Sequence, residues 1–554
     1  MIWILPIWLC LFLTLVGIGL SLTALLARLA PTLRAPLGTF QLFWFGYAFT
    51  IMWLACGSLL LPIRWPLVAP LLLAALAGFW IQRGAVWARL RSWRARPRLA
   101  LALCSITLVV VGVTAARAAQ PVGWYDTHLY HLQVVQWART LPAVPGVANL
   151  HYRLAYNNSI HLFAALTDCF WKNRAAHLAL GLLACVTALQ LIACALRPGN
   201  ALGRLRAGYA LLVLPFVLAR IASNEIASLS SDLPLNLICV VIGLELLGWG
   251  ERATPRRSDT SMALVLALSA VATTTKLGGL GVLIVSTATA AWTLRQRSFP
   301  RTLLAAWTLL PALVLSAYIA RQAVLSGWLL FPAPIANLHF EWSLPESVTI
   351  DQFRWIQSWA RMPGKEPAYV LDHGLWRWFE RWFGKFEQSQ ELLLLALSAV
   401  VALQRLAQRK AAQLSWQLPA LLAALLSLVL WFRGAPDLRF GAGFFWILLA
   451  VVAAPPLARM LAEPVGQWTA LAICLALSSW SGGLSAELPH RDYRVKLPAP
   501  DKPAVREVEL SPGLKVSVPE GDNDRCGNVP LPCTPYPAQQ RARRPGDLRA
   551  GFLY

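Results

Sequence analysis

The chain has 554 residues, of which 57% are hydrophobic and 14% are charged, and its formal net charge is +23. A mean hydropathy of +0.55 excludes an ordinary soluble globular domain and is typical of a protein that crosses a membrane many times. The Lys and Arg residues fall mainly in short loops between apolar runs, as on the cytoplasmic side of membrane proteins, so the charge does not indicate nucleic-acid binding.

Apolar segments long enough to cross a bilayer recur along the chain as far as residue 484. The first of them, MIWILPIWLCLFLTLVGIGL, lacks a basic start and predicts a retained helix rather than a cleaved signal peptide. We expect an all-α integral membrane bundle of about fourteen spanning helices. The clearest expected spans are 3–26, 38–61, 66–82, 99–119, 175–196, 233–250, two within 261–293, 302–324, three between 391 and 460, and 466–484.

The most basic stretch, from Arg83 to Arg98, predicts a cytoplasmic loop, which places the polar loop after the next span on the outer face of a bacterial inner membrane. Later basic loops continue the alternation. The chain then divides into N-terminal spans (1–119), a first outer loop with juxtamembrane helices (120–174), central spans (175–324), a second outer segment (325–390), C-terminal spans (391–484) and a Pro-rich outer tail (485–554).

The first outer loop begins YDTHLYHLQ and is the most polar stretch beside a predicted span. Asp126 begins an amphipathic helix in which Tyr130 and Gln133 share its face, while His128 and His131 lie on another face. A carboxylate at this position suits a general base, or a ligand of a divalent cation such as Mg²⁺ or Mn²⁺. It also suits the capping of the helix that it begins.

The same loop continues with VPGVANLHYRLAYNNS. Arg153 is suited to binding a phosphate through two parallel hydrogen bonds. The Asn side chains could bind sugar hydroxyls or stabilise their own turns. The predicted substrate-binding residues of this loop are Tyr130, His131, Asn149, His151, Arg153 and Asn157.

Four further candidates lie near the ends of later spans. Glu225 and Asp232 belong to the turn SNEIASLSSDLP, where they could form a catalytic or metal-binding pair with Asp126, or cap the following helix. Lys276 interrupts an apolar block, which is costly unless the ammonium is paired or hydrated, and it could bind a phosphate. Arg439, next to Asp437 in GAPDLRF, could contact substrate or form an internal ion pair.

Two other segments have a characteristic pattern. The sequence LWRWFERWFGKFEQ predicts a helix in the membrane interface, which could form a groove for a lipid-linked substrate or simply pack on the bundle. The tail lacks a hydrophobic period and is expected to be extended or loosely folded. Cys526 and Cys533 could form a disulfide if the tail faces an oxidising compartment.

The blocks YDTHLYHLQ, VPGVANLHYRLAYNNS, SLSSDLP, TTTKLG and CGNVPLPCTP, in this order, resemble a family of uncharacterised bacterial polytopic membrane proteins. The layout also resembles the GT-C superfamily of membrane glycosyltransferases, which use polyprenyl-phosphate or polyprenyl-diphosphate sugars. In that resemblance Asp126 takes the acidic position of the first outer loop, Asp232 with Glu225 takes the second, and 325–390 is the later outer loop. Unlike the GT-C pattern, about three spans precede Asp126, and no second acid stands beside it.

These features together predict a glycosyltransferase that moves a sugar from a polyprenyl-linked donor to a glycan, lipid or protein acceptor, with Asp126, Asp232 and Glu225 as catalytic residues. One alternative is a transporter or flippase of lipid-linked glycans, which would be expected to contain internal repeats. Another is a metal-independent glycan polymerase or ligase that relies on residues such as Arg361 and His373.

Overall fold

The computed structural model describes residues 2–29, 37–94, 97–196, 199–249, 255–296, 301–407, 417–463, 465–466, 468–470, 472, 474, 478, 497–521 and 523–554. Most of these residues are helical. The α-helices are α1 (Ile4–Leu29), α2 (Thr39–Gly57), α3 (Trp65–Ile81), α4 (Arg83–Arg94), α5 (Pro97–Ala118), α6 (Leu132–Thr140), α7 (Val147–Leu150), α8 (Ser159–Asp168), α9 (Leu178–Ala195), α10 (Ala201–Ala222), α11 (Asp232–Leu246), α12 (Pro255–Thr275), α13 (Leu280–Arg295), α14 (Arg301–Ser326), α15 (Glu346–Arg361), α16 (Pro367–Leu371), α17 (Trp376–Glu387), α18 (Gln390–Ala407), α19 (Leu418–Gly434) and α20 (Leu438–Met460).

Shorter elements complete the fold. A π-helix covers Thr127–His131, and 3₁₀-helices cover Tyr152–Ala155, Asn224–Ala227 and Leu277–Gly279. The strands are β1 (Val505–Ser511), β2 (Leu514–Pro519), β3 (Arg541–Ala542) and β4 (Phe552–Leu553). They form two antiparallel pairs, β1 with β2 and β3 with β4.

The protein is a multi-pass membrane protein. Among the described residues, eight helices are long and apolar enough to cross a bilayer, or up to ten if the bent pairs α3–α4 and α17–α18 each count as one span. The expectation of about fourteen spans is not confirmed. One reason is length: α11 and α19 have 15 and 17 residues, fewer than the roughly 20 that cross a bilayer unaided. Most of the expected span 466–484 lies outside the described residues.

The centre of the bundle is α11, in which every residue is buried. It contacts α9, α10, α12, α19 and α20. The apolar block 261–293 is broken between Thr275 and Leu280, as its length predicts, so that α12 and α13 leave Lys276 in a turn. At the close crossing of α1 and α2, a Cβ on Gly19 or Gly46 would overlap the neighbouring backbone.

The described part of the tail, residues 497–521 and 523–554, is folded, so the prediction of an extended or loosely folded tail is wrong for these residues. Residues of β1, β2 and β4 pack against the first loop and the segment after α14 in one hydrophobic cluster, which includes Trp137, Val144, Leu150, Trp328, Phe331, Leu514, Val516, Val518 and Phe552. A disulfide joins Cys526 and Cys533. The tail can fold because its apolar residues are buried against the loop rather than within the tail alone.

Candidate functional site

A cluster of charged side chains lies at the end of the bundle where α5 ends and α9 begins, which we call the loop end. Asp126 precedes the π-helix, and Asp232 begins α11. Lys276 lies in the turn between α12 and α13, and Asp437 and Arg439 stand at the start of α20. We call these five residues the acid–base cluster. Their elements are far apart in sequence, so only the packing of the bundle brings them together.

Arg439 connects the three carboxylates of the cluster. Its Nε lies 3.6 Å from Oδ2 of Asp232 and 3.5 Å from Oδ2 of Asp437. One of its terminal nitrogens lies 4.0 Å from Oδ2 of Asp126. The ammonium of Lys276 donates a hydrogen bond to Oδ1 of Asp232. Two cations therefore face three carboxylates.

Helix starts explain why the acids lie here. Asp437 is the N-cap of α20 and accepts a hydrogen bond from the backbone N–H of Arg439 at 3.1 Å. Asp232 lies in the first turn of α11, where the helix dipole favours a negative charge. The side-chain amide of Asn236 on α11 donates to the carbonyl of Arg439 at 3.3 Å and accepts from the N–H of Gly443 at 3.1 Å. These bonds fix the start of α20 against α11.

The cluster is open on one side. The side chain of Asp232 is 6% exposed, whereas those of Asp126 and Arg439 are 35% and 33% exposed. The Lys276 ammonium lies 3.1 Å from the centre of the Phe440 ring, which holds it beside Asp232. A ligand approaching from solvent would therefore meet Asp126 and Arg439 first.

Glu225 lies close to this cluster but is deeply buried. Its side chain is 5% exposed, and its carboxylate is 3.6 Å from the guanidinium of Arg220. Burial raises the pKa of Glu225 to about 7, and the charge of Asp232 acts in the same direction. A carboxyl group with this pKa can accept or donate a proton near neutral pH.

An aromatic wall flanks the cluster. The ring of His131 lies 4.2 Å from that of Tyr130 and 4.7 Å from that of His161, while Tyr130 contacts Tyr156 at 5.5 Å. Burial lowers the pKa of His131 well below its ordinary value, and the neighbouring His161 and Lys276 add to the effect, so the imidazole is neutral at pH 7. The π-helix that carries Tyr130 and His131 is a rare element that often occurs at functional sites.

Arg153 stands among tyrosines. Its guanidinium lies 5.8 Å from the centre of the Tyr152 ring, and Tyr152 stacks on Tyr536 of the tail at 5.9 Å. The hydroxyl of Tyr125 donates to the carboxylate of Asp524, also in the tail. Within the described part of the chain, no carboxylate forms an ion pair with Arg153. Through Tyr536 and Asp524, the tail contributes to the surroundings of the first loop, a role that the sequence did not indicate.

Two predicted binding residues, Asn149 and Asn157, make hydrogen bonds within the protein, and a third, His151, packs between aromatic rings. The Asn149 amide donates to the carbonyls of Trp342 and Phe552, at 2.9 and 3.1 Å. His151 is buried, and its ring lies 5.3 Å from those of Tyr152 and Tyr536. These contacts fix the fold of the loop and hold the tail on it.

Asn157 has a φ of 54° and joins two residues of α14: it donates to the carbonyl of Tyr318 at 3.0 Å and accepts from Arg321 at 2.9 Å. Its amide thus holds the end of the first loop against α14. The structure therefore brings Asp126, Asp232, Lys276 and Arg439 into one cluster, with Tyr130, His131, Arg153 and Glu225 around it, and leaves Asn149, His151 and Asn157 with other partners.

Several residues of the site were not identified from the sequence, namely Tyr156, His161, Arg220 and Phe440. His161 and Arg220 had a signal, since each is an ionisable residue within a mainly apolar stretch of its helix. Tyr156 and Phe440 had none, because an aromatic residue at a membrane interface is common in such proteins.

A divalent cation at Asp126 and Asp232 does not fit the arrangement. The carboxylates of Asp126 and Asp232 already face Arg439, and Lys276 occupies the second oxygen of Asp232. Within the described residues, no group of three or more His, Cys, Asp or Glu side chains is placed to hold a metal ion. The exposed donors are those of a guanidinium and an ammonium, which suit an anionic ligand.

Residues 1–446 match the family described as a domain of unknown function, DUF8201. The chain belongs to this family. The DUF8201 region contains all five residues of the acid–base cluster and ends within α20, so the folded tail lies beyond it. No curated protein and no solved structure matches the chain.

Proposed function

We propose that this protein is a membrane glycosyltransferase of GT-C type, which transfers a sugar from a polyprenyl-phosphate or polyprenyl-diphosphate donor to a glycan, lipid or protein acceptor. The observation that carries the proposal is the placing of Asp126, a carboxylate about one third exposed, 4.0 Å from Arg439, which shares Asp232 with Lys276 at one end of a membrane bundle. A base in one cluster with two cations is the arrangement that transfer from a phosphate leaving group requires.

In this mechanism Asp126 accepts the proton of an acceptor hydroxyl as its oxygen bonds to the anomeric carbon of the sugar. The bond from that carbon to the phosphate oxygen breaks, and the electron pair leaves with the phosphate. Arg439 and Lys276 stabilise the charge of that phosphate, and Arg153 of the first loop is the third cation that we assign to it. Asp232 holds both cations in position, since each lies on one of its oxygens.

Glu225 supplies a second proton site beside the cluster. With a pKa of about 7 it can exchange a proton during the reaction or tune the charge next to Asp232. Tyr130 and the neutral His131 are buried against each other beside the cluster, where they would shape the acceptor side of the site. No step in this mechanism passes through a metal ion.

The segment 325–390 contains a helix, α17, whose position at the membrane interface favours a lipid-linked substrate. Helix α17 buries Trp378, Trp382 and Phe386 against the bundle and exposes Trp376, at 77%, and Phe383, at 39%. Exposed aromatic rings next to basic side chains are typical of a helix in the membrane interface. A polyprenyl chain in the bilayer would therefore lie beside the end of the bundle that carries α17.

The basic loops at the opposite end support an orientation in which the acid–base cluster faces the periplasm of a bacterial inner membrane. A disulfide in the tail fits the same side, because disulfides persist in oxidising compartments. Labelling of single introduced cysteines at the two ends, with a reagent that does not cross membranes, tests this orientation.

The decisive experiment uses purified protein in lipid with a panel of radiolabelled polyprenyl-phosphate and polyprenyl-diphosphate sugars. We expect release of sugar from its carrier by the wild type and a loss of at least about a hundredfold in Asp126→Asn, the usual size of a general-base contribution. Asp372→Asn is the matched control, since Asp372 is a half-exposed carboxylate paired only with Arg354 on the described surface.

Release that is equal in wild type and Asp126→Asn would contradict the assigned base. No release from any donor, with both proteins folded, would favour transport of a lipid-linked glycan. Movement of a fluorescent lipid-linked glycan across liposome membranes would then be the next measurement.

A further inference from the structure

A small cavity lies between α6, the segment after it and α14. Its walls are mainly apolar, and they include Val134, Val144, Val147, Leu154 and Leu325. Two polar side chains also line it, Arg321 of α14 and Trp137 of α6. The free space of the cavity, counted together with the solvent-filled space at its open mouth, is about 300 Å³. It is lined by none of the five residues of the acid–base cluster.

Arg321 is a buried cation without a counter-charge among the described residues. It is 5% exposed. Its Nε donates to the side-chain oxygen of Asn157 at 2.9 Å, and Nη1 donates to the hydroxyl of Ser58 at 2.8 Å. Both acceptors are neutral, and no carboxylate in the described part of the chain forms an ion pair with Arg321. A charge buried in this way is costly unless an opposite charge lies close to it.

Trp137 adds a second donor in the same wall. It is 7% exposed, and its indole Nε1 has no hydrogen-bond acceptor within the described structure. By contrast, Trp328, in the same hydrophobic cluster, donates to the carbonyl of Leu344 at 2.9 Å. The cavity thus combines a guanidinium with an unused N–H donor and has no acidic residue in its lining. Such a set of donors is complementary to an anion.

We propose that this cavity binds a small inorganic anion of the size of chloride, held by Arg321 and Trp137. The enclosed part has room for about one water molecule, which suits a monatomic anion and is too small for a phosphate or a lipid headgroup. A water molecule could accept from Trp137 but would leave the charge of Arg321 uncompensated. The apolar walls favour an ion that is easily dehydrated.

The anion would join two parts of the molecule. Arg321 and Leu325 belong to the membrane-spanning helix α14, whereas Trp137 and the rest of the apolar wall belong to the first loop, which also carries Asp126 and Tyr130. Its binding stabilises the packing of that loop on α14. This inference does not depend on sugar transfer, so either proposal can fail alone.

The test measures the unfolding temperature of the purified protein in sodium gluconate as sodium chloride replaces gluconate at constant ionic strength. We expect the unfolding temperature to rise with chloride, because a ligand that binds only the folded state stabilises it. Trp137→Phe keeps the packing and removes the N–H, so its apparent affinity for chloride should fall about tenfold. Trp328→Phe is the matched control and should keep the wild-type affinity, even if its unfolding temperature is lower.

Bromide provides a direct readout. In crystals grown with bromide, an anomalous peak within hydrogen-bond distance of the Arg321 guanidinium and the Trp137 Nε1 would support the site. A wild type whose unfolding temperature is the same in chloride and gluconate would overturn the proposal. So would a Trp137→Phe variant with the chloride affinity of the wild type.

Discussion

The ammonium of Lys276 donates to the carboxylate of Asp232, although one residue lies in the turn after α12 and the other begins α11. The pair is the most buried contact of the acid–base cluster, with the two side chains 25% and 6% exposed. It links the turn between α12 and α13 to the centre of the bundle. The position of Lys276, the proposed phosphate ligand, therefore depends on a carboxylate that a substrate would hardly touch.

Replacing Lys276 by Met should destabilise the protein, because Asp232 would keep only the longer contact with Arg439. We expect the free energy of unfolding to fall by about 2 kcal/mol, which is less than the roughly 3–5 kcal/mol lost when a fully buried ion pair is broken. The double variant Lys276→Met with Asp232→Asn should recover part of this loss, since no charge is left unpaired. Unfolding in detergent, measured for both single variants and the double variant, checks this coupling, and additive losses would argue against it.

Glu225 should make stability depend on pH. Burial raises the pKa of Glu225 to about 7 in the folded protein, above the unfolded value near 4.3. Below about pH 4.3 the Glu225 carboxyl is protonated in both the folded and the unfolded state, so its burial does not lower the free energy of unfolding through ionisation. As pH rises towards 7 the unfolded state loses its proton first, so the folded state is progressively disfavoured, by on the order of 3–4 kcal/mol above pH 7.

Glu225→Gln lacks this titration. Relative to wild type, the variant should therefore gain stability between pH 5 and pH 8, as measured by unfolding temperatures across that range. Parallel profiles for the two proteins would show that Glu225 titrates normally. Asp351→Asn, which changes an exposed carboxylate on α15, is the control that should follow the wild type.

Removing the disulfide should loosen the tail on the first loop. The disulfide closes the turn whose Gly527 N–H donates to the carbonyl of His128 at 2.7 Å, and whose Val529 carbonyl accepts from Gln133 at 2.8 Å. We expect Cys526→Ser with Cys533→Ser to cost about 2 kcal/mol, because the closed loop is short. Limited proteolysis should then cleave the tail faster, and a reductant should have the same effect on the wild type.

The free thiol variant Cys104→Ser is the control, since Cys104 is an exposed cysteine outside the tail. Equal rates of tail cleavage with and without the disulfide would mean that packing and hydrogen bonds alone hold the tail in place.

Arg361, the residue on which a polymerase mechanism would rely, should affect stability rather than chemistry. Its terminal nitrogens donate to the carbonyls of Gly434 and Arg433 at 3.0 Å, which satisfies the end of α19, and its guanidinium lies over Trp378 at 4.9 Å. Arg361→Lys loses this pair of donors and should lower the free energy of unfolding by about 1–2 kcal/mol. The sugar released per folded molecule should be unchanged.

For comparison, Arg354→Lys alters a partly exposed ion pair with Asp372 and should cost less than about 1 kcal/mol. A fall in release that exceeds the fall in folded protein for Arg361→Lys would instead assign this residue to the reaction.

Chelation should leave the proposed activity unchanged. Lys276 donates to one oxygen of Asp232, and the Arg439 guanidinium lies 3.6 Å from the other oxygen and 4.0 Å from Asp126, so two positive charges already stand where a divalent cation would bind. We therefore expect equal sugar release before and after dialysis against EDTA. Loss of release that returns on adding Mg²⁺ or Mn²⁺, but not an inert salt, would show that the two cations move away during the reaction.

The sequence was sufficient to predict the four residues at the centre of the cluster. Asp126, Asp232, Lys276 and Arg439 are charged residues next to apolar segments, and the alternation of basic loops places them all on one side of the membrane. Side chains at the same end of a compact helix bundle necessarily lie close to one another. Their convergence is thus a consequence of topology that can be read from the chain.

The sequence was not sufficient where long-range contacts decide the outcome. The roles of Asn149 and Asn157 depend on Phe552 and Arg321, which no local pattern connects to them. The number of spans was harder to predict because α11 is buried within the bundle, where a helix need not be long enough to cross a bilayer alone. The β1–β2 hairpin did leave a signal, the alternating VELSPGLKVSV with a Pro-Gly turn, which a search for helices overlooks.

The contact between the tail and the first loop has a consequence for biosynthesis. The N–H of Phe552 donates to the carbonyl of Pro145 at 3.0 Å, and Asn149 donates to Phe552 in turn. The ribosome makes Pro145 and Asn149 roughly 400 residues before Phe552, so the first loop must wait for a partner made much later. Completion of this surface therefore requires that the tail reach the same side of the membrane as the loop.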